Sequence, residues 1–232
     1  ANWADKAGQD HNAAQATAFR QPTIRTGQIS EKPNLSLLAF DGNQSLAFPT
    51  INHCRTLFWV MNKGQGFDLE GTFISKEGPT NPWGRMGGLH YFHPHVQPAQ
   101  IRNGILRVSG LGVDISSLGL PVQFEYTLQI ACLRTSDVLP ADLIGKRGDG
   151  EHYFTGNIGE MLIYDRALQE TEIETVEQYL GSKWGIALNQ EPEEETEAGL
   201  IGYWNFDEGE GTVLHDLSGG DKDGELTNTT ES

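Results

Sequence analysis

Short apolar runs, separated by glycine, proline, asparagine and aspartate, alternate along most of the chain. This punctuation is typical of β-strands joined by turns. The runs that predict strands most clearly span residues 35–40, 57–61, 71–75, 88–92, 104–108, 124–133 and 157–164. Because no helical pattern lies between them, we expect antiparallel pairing. The expected fold is all-β, an antiparallel two-sheet jelly-roll sandwich.

One segment departs from the strand pattern and predicts a short helix over residues 171–184. Its apolar side chains recur at the spacing of one helix face: Ile173, Val176, Leu180 and Trp184. Thr171 and Glu174 stand at the two positions of a capping box, and Gly181 or Gly185 lies near the end. We expect this helix to cover one edge of the sheets.

A proline-containing acidic run, residues 189–198, has no apolar residue before Ala198. Such a run repels itself and buries no surface, so it predicts a solvated linker. The linker divides a body, residues 1–188, from a tail, residues 199–232.

The charge of the chain is unevenly spread. Lys and Arg number 16 against 32 Asp and Glu, a formal charge of −16. Residues 1–148 hold 13 basic and 11 acidic residues, and residues 149–232 hold 3 and 21. So acidic a chain is repelled by phosphate and anionic lipid, which argues against binding to nucleic acid or membrane surfaces. No apolar run approaches the roughly 20 residues of a spanning helix, so we expect no membrane insertion.

A short internal repeat links the two ends of the chain. Residues 5–13 and 216–224, offset by 211, share the form Asp-x-small-Gly-x-Asp-x-(Asn or Asp)-small. Carboxylate and amide oxygens on a glycine-bearing loop are ligands that calcium prefers. The candidate calcium ligands are Asp5, Asp10, Asn12, Asp216, Asp221 and Asp223. The alternative is a network of Asx turns that shapes a hairpin without a metal.

Several motifs resemble one family. The most specific runs over residues 154–168 as Phe-x-Gly-x-Ile-Gly-Glu-x-Leu-Ile-Tyr-Asp-Arg-x-Leu and is followed by Glu172 and Ile173. Shorter matches lie at residues 3–8, 14–17, 21–23, 40–46, 199–211 and 216–219. Together they resemble the laminin-G-like, concanavalin A-like lectin-glucanase jelly-roll domains of the bacterial type, with the tail resembling the start of a second copy. The resemblance implies a jelly roll for residues 1–188 and, as in many relatives, calcium at loops.

The repeat also predicts where the opening strand of the body belongs. In the tail, Trp204 precedes Asp216 by 12 residues, so the equivalent strand of the body falls before Ala1. One interpretation is a fragment of a tandem array. The other is a strand at residues 200–206 that completes its own body or a neighbour's, because an open sheet edge is a template for pairing. The second interpretation implies self-association through residues 200–206.

Trp83 lies in a run rich in glycine and proline, residues 78–85. An exposed indole with polar neighbours is suited to stacking on a sugar. The candidate glycan-binding residues are therefore Trp83, Asn81, Arg85 and Tyr91. The alternative is a loop anchored by a half-buried tryptophan. We expect the other tryptophans, Trp3, Trp59, Trp184 and Trp204, in the core.

Catalytic residues are not indicated. Glycan cleavage needs two carboxylates facing one groove, yet only Asp68 and Glu70 approach an alternating pair, and they lie between glycines like a turn. Glu160 fits a structural role, and Asp165 with Arg166 predicts an ion pair within a turn. We therefore expect no enzyme.

Histidine and cysteine leave alternatives open. His90, His93 and His95 have a spacing that suits a transition metal, but Pro94 interrupts the strand and favours an ordinary exposed loop. Cys54 and Cys132 lie in strand-like runs, which predicts two buried thiols, with one disulfide as the alternative.

These features predict a noncatalytic, lectin-like module of a larger secreted or cell-surface protein, binding glycan or mediating adhesion to an extracellular protein. Calcium is the one cofactor expected. The alternative is a structural or assembly module that uses the C-terminal strand to join or complete domains. A glycan-cleaving enzyme is less consistent with the sequence, and fold alone does not decide among the three.

Overall fold

The computed structural model describes residues 2–64, 72–78, 82–83, 98–115, 126–189, 200–205 and 211–225. The chain forms two compact units, residues 1–189 and 190–232. The predicted strand at 88–92, the histidine cluster, Asp68 with Glu70, and linker residues 190–198 lie outside the described residues. No helix in the described ranges is both long and apolar enough to cross a membrane.

The first unit is built mostly of strands, as the alternation of apolar runs and turn residues predicts. Its described strands are β1 (Asn2–Trp3), β2 (Ala13–Ala14), β3 (Thr23–Thr26), β4 (Ser36–Asp41), β5 (Leu46–Lys63), β6 (Ile74–Ser75), β7 (Ile105–Val108), β8 (Leu111–Val113), β9 (Gln129–Ile144) and β10 (Thr155–Tyr164). A 3₁₀ turn spans Ala18–Arg20, and two helices follow, α1 (Ala99–Arg102) and α2 (Glu170–Trp184).

These ten strands pair antiparallel throughout, which confirms the all-β expectation. The main path runs β3-β4-β10-β5-β9-β7-β8, with β2 paired to β5 and β1 paired to β2, and β6 paired to β9. Hydrogen bonds thus join all ten in one network, and the division into the two sheets of a jelly roll stays a prediction.

The single network arises because β5 and β9 are far longer than the apolar runs that predict them. Their pairing shifts register three times between Ala47 and Thr56. The first irregularity contains Pro49, which has no N–H to contribute to the ladder. Beyond the irregularities the same two strands pair again from Leu57 to Met61.

Two apolar layers lie on opposite faces of β5, as its alternation by twos requires. Leu57, Trp59 and Met61 belong to one cluster, which also takes residues from the other half of β5 and from β9. Phe58 and Val60 belong to the second cluster, which α2 covers.

Helix α2 begins at Glu170, and its capping box is formed by Gln169 and Glu172 rather than by Thr171 and Glu174. The predicted cap is therefore wrong by two positions. Gly185 ends the helix in the left-handed conformation, with φ of 68°. A Cβ at Gly159 of β10 would lie 2.6 Å from the Trp184 ring, so this glycine lets the helix pack closely on the sheet.

The second unit has a small hairpin among its described residues, β11 (Val213–Leu214) paired with β12 (Gly224–Glu225). Residues 200–205 carry no regular secondary structure. The strand predicted at 200–206 is thus not formed over 200–205, and Phe206 lies outside the described residues.

Candidate functional site

The candidate calcium residues of the first unit lie in the loop between β1 and β2, where Asn2 pairs with Ala14 and Trp3 with Ala13. The loop is organised around the carboxylate of Asp5. Its Oδ1 accepts the N–H of Ala7 at 2.8 Å, and its Oδ2 accepts those of Gln9 at 3.0 Å and His11 at 3.2 Å.

Asn12 closes the same loop, with the backbone of Asp5 as the donor. Its Oδ1 accepts the backbone N–H of Asp5 at 2.8 Å. Gly8 and Asp10 take the left-handed conformation, with φ of 73° and 58°. Glycine adopts this backbone freely, and aspartate is among the residues that tolerate it, so the repeated pattern encodes the turn around the carboxylate.

The second unit forms the same loop around Asp216. Its Oδ1 accepts the N–H of Ser218 at 2.9 Å, and its Oδ2 accepts that of Lys222 at 3.0 Å. The N–H of Asp216 donates to Oδ1 of Asp223 at 2.8 Å. Gly219 and Asp221 have φ of 75° and 50°.

Three of these four hydrogen bonds have their counterpart 211 residues away, the exception being that from the N–H of Gln9. The strand pairing follows the same offset, with Val213 opposite Glu225 and Leu214 opposite Gly224. The repeat read from the sequence is therefore a structural repeat, and we call the two copies the Asp5 hairpin (residues 2–14) and the Asp216 hairpin (residues 213–225).

Hydrogen bonds to the carboxylates of Asp5 and Asp216 set the electrostatics of both hairpins. The hydrogen bond from Ala7 lowers the pKa of Asp5. Hydrogen bonds from Ser218, followed by the N–H of Tyr203, hold the pKa of Asp216 well below its usual range. The carboxylates are ionised and directed at main-chain donors, which is the Asx-turn geometry.

Calcium binding stays a prediction. Asp10 and Asp221 are exposed at the loop tips, and Asp223 is also contacted by His215, whose Nδ1 lies 3.3 Å from its Oδ2. Among the residues that the structure describes, no three His, Cys, Asp or Glu side chains are grouped so as to hold a metal ion.

The Asp216 hairpin also binds a further segment. Oδ1 of Asp216 accepts the N–H of Tyr203 at 2.9 Å, and the N–H of Leu217 donates to the Tyr203 carbonyl at 2.7 Å. Trp204 Nε1 donates to the Lys222 carbonyl at 3.1 Å. These local bonds occupy both main-chain polar groups of Tyr203.

The predicted stacking role of Trp83 is wrong. Its side chain is fully buried in the first apolar cluster. Its Nε1 donates to the Pro140 carbonyl of β9 at 2.7 Å. Asn81, Arg85 and Tyr91 lie outside the described residues. Trp59 and Trp184 are buried as predicted, whereas Trp3 and Trp204 are half-buried.

Polar groups beneath α2 were not indicated by the sequence. Glu177 has 1% of its side chain exposed, and both its oxygens accept from Arg107 Nε, at 3.3 and 3.1 Å. Burial raises the pKa of Glu177, and Arg107 opposes that rise. Arg107 lies on a strand and Glu177 on a helix, and the residues around each of them do not indicate that the two side chains form a pair.

Glu160 has the structural role predicted for it. Its Oε1 accepts from Lys183 Nζ at 2.9 Å, and its Oε2 accepts from Trp184 Nε1 at 2.8 Å. The carboxylate thus anchors the last turn of α2 to β10.

A shallow groove of about 360 Å³ lies between the end of β10 and the start of α2, bordered by Tyr164, Leu168 and Val176. At its rim, Arg166 pairs bidentately with Glu172 at 2.8 and 2.7 Å. The partner of Arg166 is therefore Glu172 and not the Asp165 that the sequence predicts. Glu172 is held in place for this pairing because its carboxylate also accepts the N–H of Gln169 at the start of the helix.

Cys54 and Cys132 are free, buried thiols, which confirms the first alternative. Burial raises the pKa of Cys54 to about 12 and raises that of Cys132 as well. Both are therefore neutral and unreactive in the folded unit.

No protein-family model, no curated protein and no solved structure matches this chain. The resemblance to laminin-G-like domains therefore rests on the motifs quoted above.

Proposed function

We propose that this chain is a noncatalytic, lectin-like adhesion module of a larger secreted or cell-surface protein, with residues 1–188 as a laminin-G-like jelly roll. The observation that carries the proposal is the repeated aspartate hairpin. A hairpin that recurs with the same strand pairing and three matching hydrogen bonds in two separate compact units is typical of chains assembled from copies of one module.

The environment of three carboxylates around α2 supports a noncatalytic role. Glu160, Glu172 and Glu177 each accept hydrogen bonds from cationic or indole donors at the interface of α2 with the sheet or at the helix start. A carboxylate fixed by such donors is poorly placed to exchange a proton with a substrate.

Glycan binding is the first form of adhesion to test. Trp83 is no longer among the candidate binding residues, because it is buried. A glycan array probed with the full chain is expected to give hits that weaken in Arg85→Ala and Tyr91→Ala. Trp83→Phe is the matched control, because a buried indole contributes no face to the ligand. An array without hits contradicts the glycan role.

Assembly is a second candidate, favoured by the exposed apolar side chains of the second unit. Ile201 is 76% exposed and Tyr203 48%. Light scattering of the full chain over a range of concentrations is expected to show association that Ile201→Ser weakens. A chain that stays monomeric at every concentration contradicts this role.

Calcium is the cofactor proposed for the two hairpins. Thermal melting with added calcium and with chelator decides the question. A higher melting temperature with calcium, lost in Asp10→Ala and Asp221→Ala, supports the site. Identical melting temperatures mean that the hydrogen bonds of Asp5 and Asp216 form the hairpins alone.

A further inference from the structure

A cluster of one cation and two aromatic rings lies beside the 3₁₀ turn of the first unit. The guanidinium carbon of Arg20 lies 5.6 Å from the ring centres of both Phe19 and Tyr153. Nη1 of Arg20 also donates a hydrogen bond to the Tyr153 hydroxyl. Phe19 is 69% exposed, so an aromatic face and a guanidinium group stand side by side at the surface.

The main chain fixes both sides of this cluster. In the 3₁₀ turn the N–H of Arg20 donates to the Thr17 carbonyl at 3.0 Å, and the Arg20 carbonyl accepts the N–H of Ser45 at 3.1 Å. Tyr153 directly precedes Phe154, whose side chain is fully buried in the first apolar cluster. Because the groups are held in place before a ligand arrives, binding pays little to order them.

The charge of Arg20 is free to meet an anion. Among the described residues no carboxylate pairs with it, whereas Arg25 pairs with Asp41 at 3.2 Å. A guanidinium carries five N–H donors, and the hydrogen bond to Tyr153 uses one of them. The Tyr153 hydroxyl accepts that bond and keeps its own hydrogen, which it can donate to the same anion.

The acidity of the chain opposes an anion only weakly at this cluster. Residues 1–148 hold 13 basic and 11 acidic residues, and exposed charges more than about 8 Å apart are largely screened at physiological ionic strength. Two acidic residues lie close to Tyr153 in the chain. Asp149 accepts a hydrogen bond from Arg147 Nε at 2.6 Å, and Glu151 has 79% of its side chain exposed to solvent.

We propose that Phe19, Arg20 and Tyr153 form a binding site for a carboxylated sugar, either a hexuronate or a sialic acid. The C–H face of the sugar stacks on the Phe19 ring, and its carboxylate accepts hydrogen bonds from the Arg20 guanidinium and the Tyr153 hydroxyl. Arginine suits this anion because its planar fork matches the two oxygens of a carboxylate. The inference rests on the glycan-binding role proposed above and names its site and its class of sugar.

The proposal is tested on a glycan array that carries hexuronate oligosaccharides, sialylated glycans and neutral oligosaccharides of matched length. The full chain is applied over a range of concentrations, and saturable binding to carboxylated glycans is expected. The set that binds more tightly identifies the source of the carboxylate. Methyl esters of the same glycans keep every ring and hydroxyl but lack the charge, and their affinity is expected to fall by about tenfold or more.

Substitutions at the cluster locate the site on the chain. Arg20→Met keeps an unbranched side chain but removes the charge, and is expected to weaken binding by about tenfold or more. Arg25→Met makes the same change at an arginine that Asp41 already pairs with, and is the matched control, expected to bind like the unsubstituted chain. Phe19→Ala is expected to weaken binding by about threefold to tenfold, whereas Phe19→Tyr keeps the ring and the binding.

Equal affinity for the acids and their methyl esters overturns the proposal, and so does undiminished binding by Arg20→Met. If Arg20→Met does not fold, the methyl esters and the two Phe19 variants still decide. Hits confined to neutral glycans, or hits that Arg85→Ala abolishes and Arg20→Met leaves intact, mean that this site is wrong and the glycan role stands. An array without hits contradicts both.

Discussion

Asp5 donates its backbone N–H to the side-chain oxygen of Asn12 at 2.8 Å. The same bond, with the same length, joins Asp216 to Asp223 in the second unit. An amide oxygen and a carboxylate oxygen thus serve the same purpose, to close a loop whose turn is set by one glycine and one aspartate in the left-handed conformation.

Substitution of Asn12 tests whether that oxygen stabilises the loop. Asn12→Ala removes the acceptor and is expected to lower the free energy of unfolding of the first unit by about 1 kcal/mol. Asn12→Asp restores the residue type of the second hairpin and is expected to lower it less. Urea denaturation followed by tryptophan fluorescence measures both, and equal losses would show that the oxygen is irrelevant.

Trp83 is expected to behave as a core residue. Trp83→Ala removes a fully buried ring and is expected to cost about 3–5 kcal/mol of unfolding free energy. Trp83→Phe keeps most of the volume but leaves the Pro140 carbonyl without its donor, so the expected loss is smaller. A melting temperature unchanged by Trp83→Ala contradicts the burial.

The pair of Arg107 and Glu177 is expected to show the asymmetry of buried charges. Glu177→Ala removes one carboxylate partner of Arg107, whose side chain is 13% exposed, while Glu170 and the Gly110 carbonyl remain, and is expected to cost about 2–3 kcal/mol. The double variant Arg107→Met with Glu177→Leu removes both charges and is expected to be more stable than Glu177→Ala. A double variant as unstable as the sum of its singles indicates that the pair is not coupled.

Glu172 gives the stability a pH dependence at the start of α2. Hydrogen bonds from Arg166 and from the N–H of Gln169 lower its pKa from 4.5 to about 2. Because the folded pKa lies below the unfolded one, the stabilisation is complete above pH 4.5 and is lost as the pH falls towards 2. The helical circular dichroism signal is expected to weaken over this window, and less so in Glu172→Gln.

Glu174 supplies the control for that titration. It is exposed on the same helix but takes no part in the capping box. Glu174→Gln is expected to leave the acid transition where it is, whereas an equal shift in both variants points to a general charge effect.

Features with a local cause were predictable from the sequence. The helix over 170–184 follows from the spacing of Ile173, Leu180 and Trp184, which are all buried. The two hairpins follow from the repeated Asp-x-x-Gly-x-Asp pattern, because their bonds span no more than seven residues. The capping box was predicted at the wrong residues because Thr171 and Glu174 have the same spacing as Gln169 and Glu172, and threonine caps helices more often than glutamine does.

Features with a distant cause were not predictable. Trp83 stands among glycine and proline, and its burial depends on a carbonyl 57 residues away. The length of β5 was hidden by Pro49 and by the polar residues after it, which continue the strand through irregular pairing with β9. Arg107 and Glu177 meet across 70 residues, and nothing near either of them in the sequence indicates a partner.

The most direct test of the account compares the solvent exchange of two backbone amides, Leu217 and Lys6, by NMR of the full chain. The N–H of Leu217 donates to the Tyr203 carbonyl, whereas no described residue accepts that of Lys6, so Leu217 is expected to exchange more slowly after correction for intrinsic rates, by about tenfold or more. A Lys6 amide as slow as that of Leu217 would contradict the different roles that the two hairpins have in this structure.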